Sequence, residues 1–565
     1  DMAWVCSVNW QINVCIDRDL RREASGRFMG SVGRQQCQAW CEARGRRLLQ
    51  LAAASATTLW LPRSAWSQLR AEADPFRLGV ASGSPEADSV VLWTRLLLNG
   101  TARRPLPEAG AVTVQWEVAH DEAFVRPVRR GQAQALPELA HAVHVEVPGL
   151  APDRVYFYRF MSGDAVSPVG RTRTLPAPDA PTQRLRLAHA SCQRWEHGFY
   201  SAWRHMRADA PDFVLFLGDY IYEYPNAVGA VRSPGGGWTV TLDDYRRRHA
   251  LHKSDADLQA MHAACPWFVT WDDHEVQNDY AGLTPGDGGP AVADFAARRA
   301  AAYQAFYEHM PLRASVLTRA LQGLATGAEL RLYGQARLGQ LATLYLLDAR
   351  QYKDAPVCTP AGKGASGYLD PAQCAVWDDP RRSMLGTAQE AWLAGALARG
   401  SQGWNLIGQQ SLFGMRDARP GPQRYLWNDG WDGYGAARTR LTDTLQKHRV
   451  ANPVLVGGDV HENWVGHVKA DYSSPSSATV GVEFCGTSIT SRASGGNDKL
   501  AARLAENPHF VLAESEHRGY GLLDLTPAQL TASLRVVDDV TRPDAAASTL
   551  ARFAVRAGRP RLEPA

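Results

Sequence analysis

One pattern governs what this chain can fold into: a short apolar run that breaks off in a cluster of polar side chains, followed by a segment of helical length. Leu185 to Ala190 leads into SCQ (Ser191 to Gln193), and Phe213 to Leu217 into GDYIYE (Gly218 to Glu223). Trp267 to Thr270 leads into WDDHE (Trp271 to Glu275), and Val454 to Val456 into GGDVHENW (Gly457 to Trp464). Two further runs end at Asp348 and at Gln409-Gln410. Such runs are too short for helices and read as buried strands. Their alternation with helical segments at Gly198 to Ala208, Ala291 to Leu312, Ala388 to Arg399 and Ala436 to His448 predicts an α/β domain with parallel strands. An open sheet of that kind exposes its ligand-binding edge where strands run out into loops, which is where the polar clusters lie.

The preceding stretch has a different period. From Phe76 to about Leu175, strands are expected at Ser89 to Thr94, Val112 to Ala119, Ala142 to Val147, Arg154 to Phe160 and near Gly170 to Thr174. Alternation such as Val112-Thr113-Val114-Gln115-Trp116-Glu117-Val118 marks half-buried antiparallel strands. Leu150-Ala151-Pro152-Asp153-Arg154-Val155-Tyr156 has the L-x-P-x-x-x-Y spacing of a tyrosine corner. The expectation is an all-β immunoglobulin- or fibronectin-like sandwich, serving as a packing domain beside the α/β one.

Arg46-Arg47 precedes an Ala-rich apolar stretch from Leu51 to Leu61, then Pro62 and the small-residue site Ala65-Trp66-Ser67. These features predict a twin-arginine signal peptide and a periplasmic or secreted location, since the stretch is too short to span a bilayer. Residues 1–45 read as an unassigned upstream segment. The expected division is then 46–67 for the leader, 72–178 for the β-sandwich, 183–540 for the catalytic domain and 541–565 for a C-terminal tail. The formal charge of +3 hides nine Arg against five acidic residues in 1–67, so the rest sums to about −1 and offers no nucleic-acid-binding module. No strongly amphipathic membrane-docking segment is apparent, and a monomer is expected. Past the leader, Cys358 and Cys374 are the expected disulfide, and Cys192 is the expected exception.

The strand-end clusters divide by chemistry. Asp219 and Tyr222, three apart in one loop, can face one ion whose shell Cys192 and His461 complete. Thiolate, phenolate, carboxylate and imidazole suit a redox-capable transition metal, with ferric iron favoured by the anionic oxygens. Asp273, Asp459 and the Gln410 amide are all oxygen and select a hard divalent ion, calcium before magnesium or manganese. Asp219 is placed to bridge the two sets.

The ordered set resembles the PhoD-like alkaline phosphatases, a branch related to purple acid phosphatases and the calcineurin-like metallophosphoesterases. The resemblance runs from Phe76-Arg77-Leu78-Gly79-Val80-Ala81-Ser82-Gly83 through Leu347-Asp348-Ala349-Arg350-Gln351-Tyr352 and Trp431-Asp432-Gly433-Tyr434 to Gly486-Thr487-Ser488. It implies a four-layer αββα metallophosphoesterase sandwich, with Fe3+ on Cys192, Asp219, Tyr222 and His461. It further implies Ca2+ on Asp219, Asp273, Gln410 and Asp459, with His274 over the phosphate. The family pattern has Gly-Asn-Gln where this chain has Gly408-Gln409-Gln410.

Phosphate-ester hydrolysis needs charge stabilisation, an in-line oxygen nucleophile and a proton for the leaving group. Metal ions serve the first two needs, and His274 is expected to supply the proton. Asp272 is read as an orienting residue, Arg194 as a phosphate clamp, and Asp348 with Arg350 as a structural ion pair. The leading expectation is an exported alkaline phosphatase and phosphodiesterase acting on small phosphate mono- and diesters. The alternatives are a phospholipase D-like phosphodiesterase on the same site, and a non-catalytic surface-binding protein whose sandwich does the work.

Overall fold

Leu185–Ala190, Phe213–Phe216 and Trp267–Val269 pair in parallel, as their apolar character and helical connections require. A second parallel set joins Ala342–Leu346, Trp404–Gly408, Pro453–Gly457 and Thr479–Cys485. The computed structural model describes residues 74–98, 110–318, 329–359, 365–400, 402–474, 476–493 and 495–565. The expected leader and upstream segment lie outside the described residues.

Side chains of a strand alternate between faces, so each sheet has two apolar surfaces to bury. Leu187, Leu215 and Phe268 of the first set form one core with Leu344, Leu406, Val456 and Phe484 of the second. The opposite faces are covered by helices. Val214, Phe216 and Val269 pack with residues of helices Ser201–Ala208, Ala256–His262 and Phe295–His309. Tyr345, Ile407 and Leu455 do so with Thr387–Ala398 and Gly435–Lys447. Each fully buried Leu, Val or Phe contributes about 1.5–3 kcal/mol. This packing is what holds the two rows of strand ends in a common frame.

The N-terminal strands depart from a free-standing sandwich. Val80–Gly83, Val90–Arg95 and Ala142–Val147 pair antiparallel and continue the first sheet through the partnership of Gly83 with Trp267, giving ten strands among the described residues. A Cβ on Gly83 would lie 2.8 Å from the carbonyl oxygens of both Pro311 and Trp267, so the junction needs glycine. Val112–Ala119, Val155–Ser162, Gly170–Arg173 and Ala165–Val166 form the facing sheet together with Pro127–Ala135. That last strand is largely polar and has one buried residue, Ala135, which is why apolar alternation does not reveal it. The Ala151 amide donates to the Tyr156 hydroxyl at 2.8 Å, the contact that the tyrosine-corner spacing predicts.

Residues 541–565, set apart as a tail by sequence, enter the fold. Ala547–Arg556 pairs with Gln529–Val537, itself paired with Arg518–Leu525 beside Leu185–Ala190, and Glu563–Pro564 adds the edge strand. Cys358 and Cys374 form the expected disulfide, their Cα atoms 5.9 Å apart. Cys192, Cys265 and Cys485 are buried thiols.

Candidate metal centre and active site

The residues that end the strands adopt a backbone that side chains resist. Cys192, Asp219, Asp459 and His461 have φ of 60°, 58°, 68° and 58°. The left-handed region costs a non-glycine residue about 1–2 kcal/mol, and four such residues at one centre mark stored strain held by their surroundings. Glu275 does much of the holding: its carboxylate accepts from the backbone N–H of Asp219 (3.1 Å), Tyr220 (2.6 Å) and Asp272 (2.9 Å). The carbonyl of Cys192 accepts from the amide and hydroxyl of Ser491 at 3.2 and 2.9 Å. Gly218, at φ 113°, lets this loop approach Asp272, whose Cβ would stand 2.5 Å from an added Cβ.

These turns bring the segments together. One ligand atom each from Cys192, Asp219 and His461 lies within 4.8 Å of the others, and the same holds for Asp219, Asp272 and Asp459 and for Asp219, Asp273 and His274. Tyr222 joins the first group, its hydroxyl donating to Asp219 Oδ2 at 3.0 Å and lying 3.1 Å from His461 Nε2. The carbonyl of Arg492, 2.9 Å from His461 Nδ1, selects the tautomer whose Nε2 is free to bind. Burial, then Arg518, lowers the His461 pKa to about 3, so the imidazole is neutral.

Asp219 sits among like charges. Burial, followed by the charges of Asp273, Asp272, Glu275 and Asp459, pushes Asp219 well above the usual carboxylate range. Burial and then Asp219 push the Cys192 thiol up, and burial, Asp219 and Cys192 do the same to the Tyr222 phenol. Asp219 Oδ1 and Asp272 Oδ2 are buried without any hydrogen-bond partner. Buried carboxylate oxygens with no donor are costly unless a cation meets them, so the donor set fits bound metal.

His274 stands beside this group. Its Nδ1 lies 2.7 Å from Glu223 Oε2, its ring 4.1 Å from that of Tyr222, and its amide donates to Asp273 Oδ1 at 2.9 Å. Burial alone would lower its pKa, but Asp273 and Glu223 outweigh burial and raise it. With Nδ1 directed at Glu223, Nε2 is the ring nitrogen that remains. Arg194 lies over the Tyr222 ring, 4.1 Å from its centroid.

Gln410 sits at a crossing of strand ends. Its Nε2 donates to Thr270 Oγ1, the Trp271 carbonyl and the Leu347 carbonyl at 2.9–3.0 Å, and its Oε1 accepts from the Ala349 amide at 3.2 Å. One lone pair of that oxygen stays open. The expected Asp348–Arg350 pair does not form. Asp348 accepts from Trp271 Nε1 and Gln351 Nε2, whereas Arg350 bonds Asp272, reaches Asp429 at 2.7 Å and stands 3.6 Å from Asp273. The chain is irregular from 347 to 350, and Arg350 meets the acidic cluster of Asp272, Asp273 and Asp429 instead. Asp273, although buried, is held well below the usual carboxylate range by Arg350 and His274.

Glu223 and Glu275 lie inside the polar strand-end segments, but sequence alone gives them no role. Nor does it point to Asp429 and Asp279, which gather with Asp273 within 4.8 Å and are balanced by Arg350 and by Lys353, 2.5 Å from Asp429. Both glutamates had one signal, a carboxylate inside a polar cluster at a strand end.

A helix-covered pair of sheets whose strand ends gather a thiol, a phenol, imidazoles and several carboxylates defines a mixed α/β protein with a metal-capable acidic centre. Residues 187–534 match the family model of the PhoD-like phosphatase, and residues 62–176 that of the PhoD-like phosphatase, N-terminal domain. The chain is 45% identical over 486 residues to alkaline phosphatase D of Bacillus subtilis (strain 168), covering 85% of this chain and 80% of that protein. A solved structure of PhoD superposes with a TM-score of 0.80 at 44% identity, covering 87% of this chain and 92% of that one. The chain belongs to the PhoD-like phosphatase family, and it is a phosphoric ester hydrolase.

Proposed function

We propose that this chain is an exported alkaline phosphatase with phosphodiesterase activity, hydrolysing small phosphate mono- and diesters at a centre of Fe3+ and Ca2+. The observation that carries the reading is Asp219, a carboxylate shared between a thiol–phenol–imidazole set and an all-oxygen set with Asp272 and Asp459, and also close to Asp273. Ferric iron fits Cys192, Asp219, Tyr222 and His461; calcium fits Asp219, Asp273, Asp459 and the open lone pair of Gln410. When bound, the two cations would neutralise phosphoryl oxygens and acidify the attacking water. The chain's own residues do the rest. Arg194 receives a phosphoryl oxygen, His274 gives a proton from Nε2 to the departing ester oxygen, and Glu223 holds that imidazole protonated and oriented. Asp272 fixes Arg350 and keeps one oxygen turned to the centre.

In the same reading the layers form the αββα metallophosphoesterase sandwich, preceded by an immunoglobulin- or fibronectin-like domain, in a monomer. The twin-arginine route carries it out of the cytoplasm already folded and metallated. Among the described residues no helix is long and apolar enough to cross a membrane.

The test offers metallated protein p-nitrophenyl phosphate, its bis ester and phosphatidylcholine, with and without calcium and after chelation. Turnover of the first two, lost on chelation, is expected; no turnover of any ester would refute the reading. Thiolate and tyrosinate on ferric iron should colour the protein, and Tyr222→Phe should shift the band. A colourless, active, iron-free preparation removes the iron assignment.

A further inference from the structure

The Arg194 guanidinium is packed by two rings, its Cζ 4.1 Å from the Tyr222 centroid and 4.2 Å from that of Tyr224. Its backbone is fixed too: the amide donates to Ser491 Oγ at 3.1 Å and the carbonyl accepts from Thr490 Oγ1 at 2.7 Å. Yet Nη1 is buried and has no hydrogen-bond partner, in a residue only 2% exposed. A charged donor in that state costs free energy until an anionic oxygen meets it.

The Tyr224 ring leans in turn on Trp238, 5.1 Å away at 30°. Both of these outer rings are partly exposed, so neither is needed to fill the core. A glycine loop presses on the indole: a Cβ on Gly289 would come within 2.8 Å of it. Gln277 anchors that loop by donating from Nε2 to the Gly288 carbonyl at 2.6 Å and accepting from the Gly286 amide at 3.3 Å. A column therefore runs from the WDDHE region through Trp238 and Tyr224 to Arg194.

We propose that Tyr224 and Trp238 are positioning residues that keep the Arg194 guanidinium against the metal-side tyrosine, with Nη1 open to a non-bridging oxygen of the phosphoryl group. Without the indole, the partly exposed Tyr224 ring is free to swing outward, and Arg194 loses one of its two aromatic supports. The inference rests on the phosphatase reading above and extends it to residues outside the metal-capable clusters.

The experiment measures binding of inorganic phosphate to metallated enzyme by calorimetry, separately from turnover of p-nitrophenyl phosphate. Trp238→Ala should weaken phosphate about three- to tenfold and raise KM alike, the size of one cation–π support, while kcat and metal content stay within about twofold. Trp238→Phe, which keeps a ring, should restore phosphate affinity. Arg194→Lys should weaken phosphate by more than Trp238→Ala, and adding Trp238→Ala to it should cost little further, because the two act through one group. The proposal is overturned if Trp238→Ala leaves phosphate affinity and KM unchanged, if it lowers kcat at unchanged affinity, or if the two substitutions are fully additive. A wild-type enzyme that turns over no ester, while its phosphate affinity still responds to Trp238, would sink the hydrolase reading and leave the column standing.

Discussion

Glu275→Gln is the sharpest perturbation of the centre, because it changes one atom and almost no volume. The carboxylate accepts three backbone N–H bonds, two on Oε2 from Asp219 and Asp272 and one on Oε1 from Tyr220. An amide offers one oxygen. In its better orientation that oxygen keeps Asp219 and Asp272, and the new NH2 group faces the Tyr220 amide across 2.6 Å, donor against donor. Losing a charge-assisted bond costs about 1.5–3 kcal/mol, and leaving buried donors unpaired about 1–3 kcal/mol more. There is an offset. Burial, with a contribution from Asp272, raises the Glu275 pKa to about 7, so neutralising the side chain relieves some repulsion. The net expectation is about 2–4 kcal/mol of destabilisation, felt first as relaxation of the strained turn at Asp219. Loss of such an orienting partner lowers metal affinity or activity by about 10–100-fold. Urea titrations of metallated and chelated protein, with metal analysis and kcat, measure both effects. Wild-type midpoint, metal content and turnover in Glu275→Gln would refute the argument that this carboxylate holds the turn.

Arg350→Met should be costlier for stability, since it leaves Asp272 and Asp273 buried with no guanidinium and Asp429 with Lys353 alone. About 3–5 kcal/mol is expected from urea unfolding, and a variant within 1 kcal/mol of wild type would contradict the proposed balance. Lys253 gives a pH signature of its own. It is buried, with Nζ 4.2 Å from the Trp93 ring centroid and 3.5 Å from His262 Nε2, and burial lowers its pKa from 10.5 to about 7. Between those values the unfolded chain binds the extra proton, so stability should rise from pH 7 towards 10.5 by up to about 1.4 kcal/mol per unit. Lys253→Met should remove this rise and raise the urea midpoint at pH 7; an unchanged slope would show that Lys253 keeps its charge when buried.

Much of the α/β domain was legible because its strands are continuous apolar runs, a signal that burial on both faces imposes. Leu185–Ala190 and Val112–Ala119 have the ends that the pattern placed on them. Pro127–Ala135 escaped because a largely polar edge strand needs no apolar alternation. The strands after Arg518 were not assigned, and the joining of Val80–Gly83 to Trp267–Val269 rests on one close backbone approach that no local pattern encodes.

For the site, the sequence by itself determined which chemistries are available: a thiol, a phenol, imidazoles and carboxylates at strand ends, where loops must begin. Only the tertiary structure decided which of them meet. Convergence depends on left-handed turns at Cys192, Asp219, Asp459 and His461, and on partners as distant in sequence as Glu275 and Ser491. It also decided that Arg350 turns to Asp272 and its neighbours rather than to Asp348. The physical reason is range: apolar periodicity acts within a few residues, whereas the cost of a buried charge is set by whatever the whole fold brings beside it.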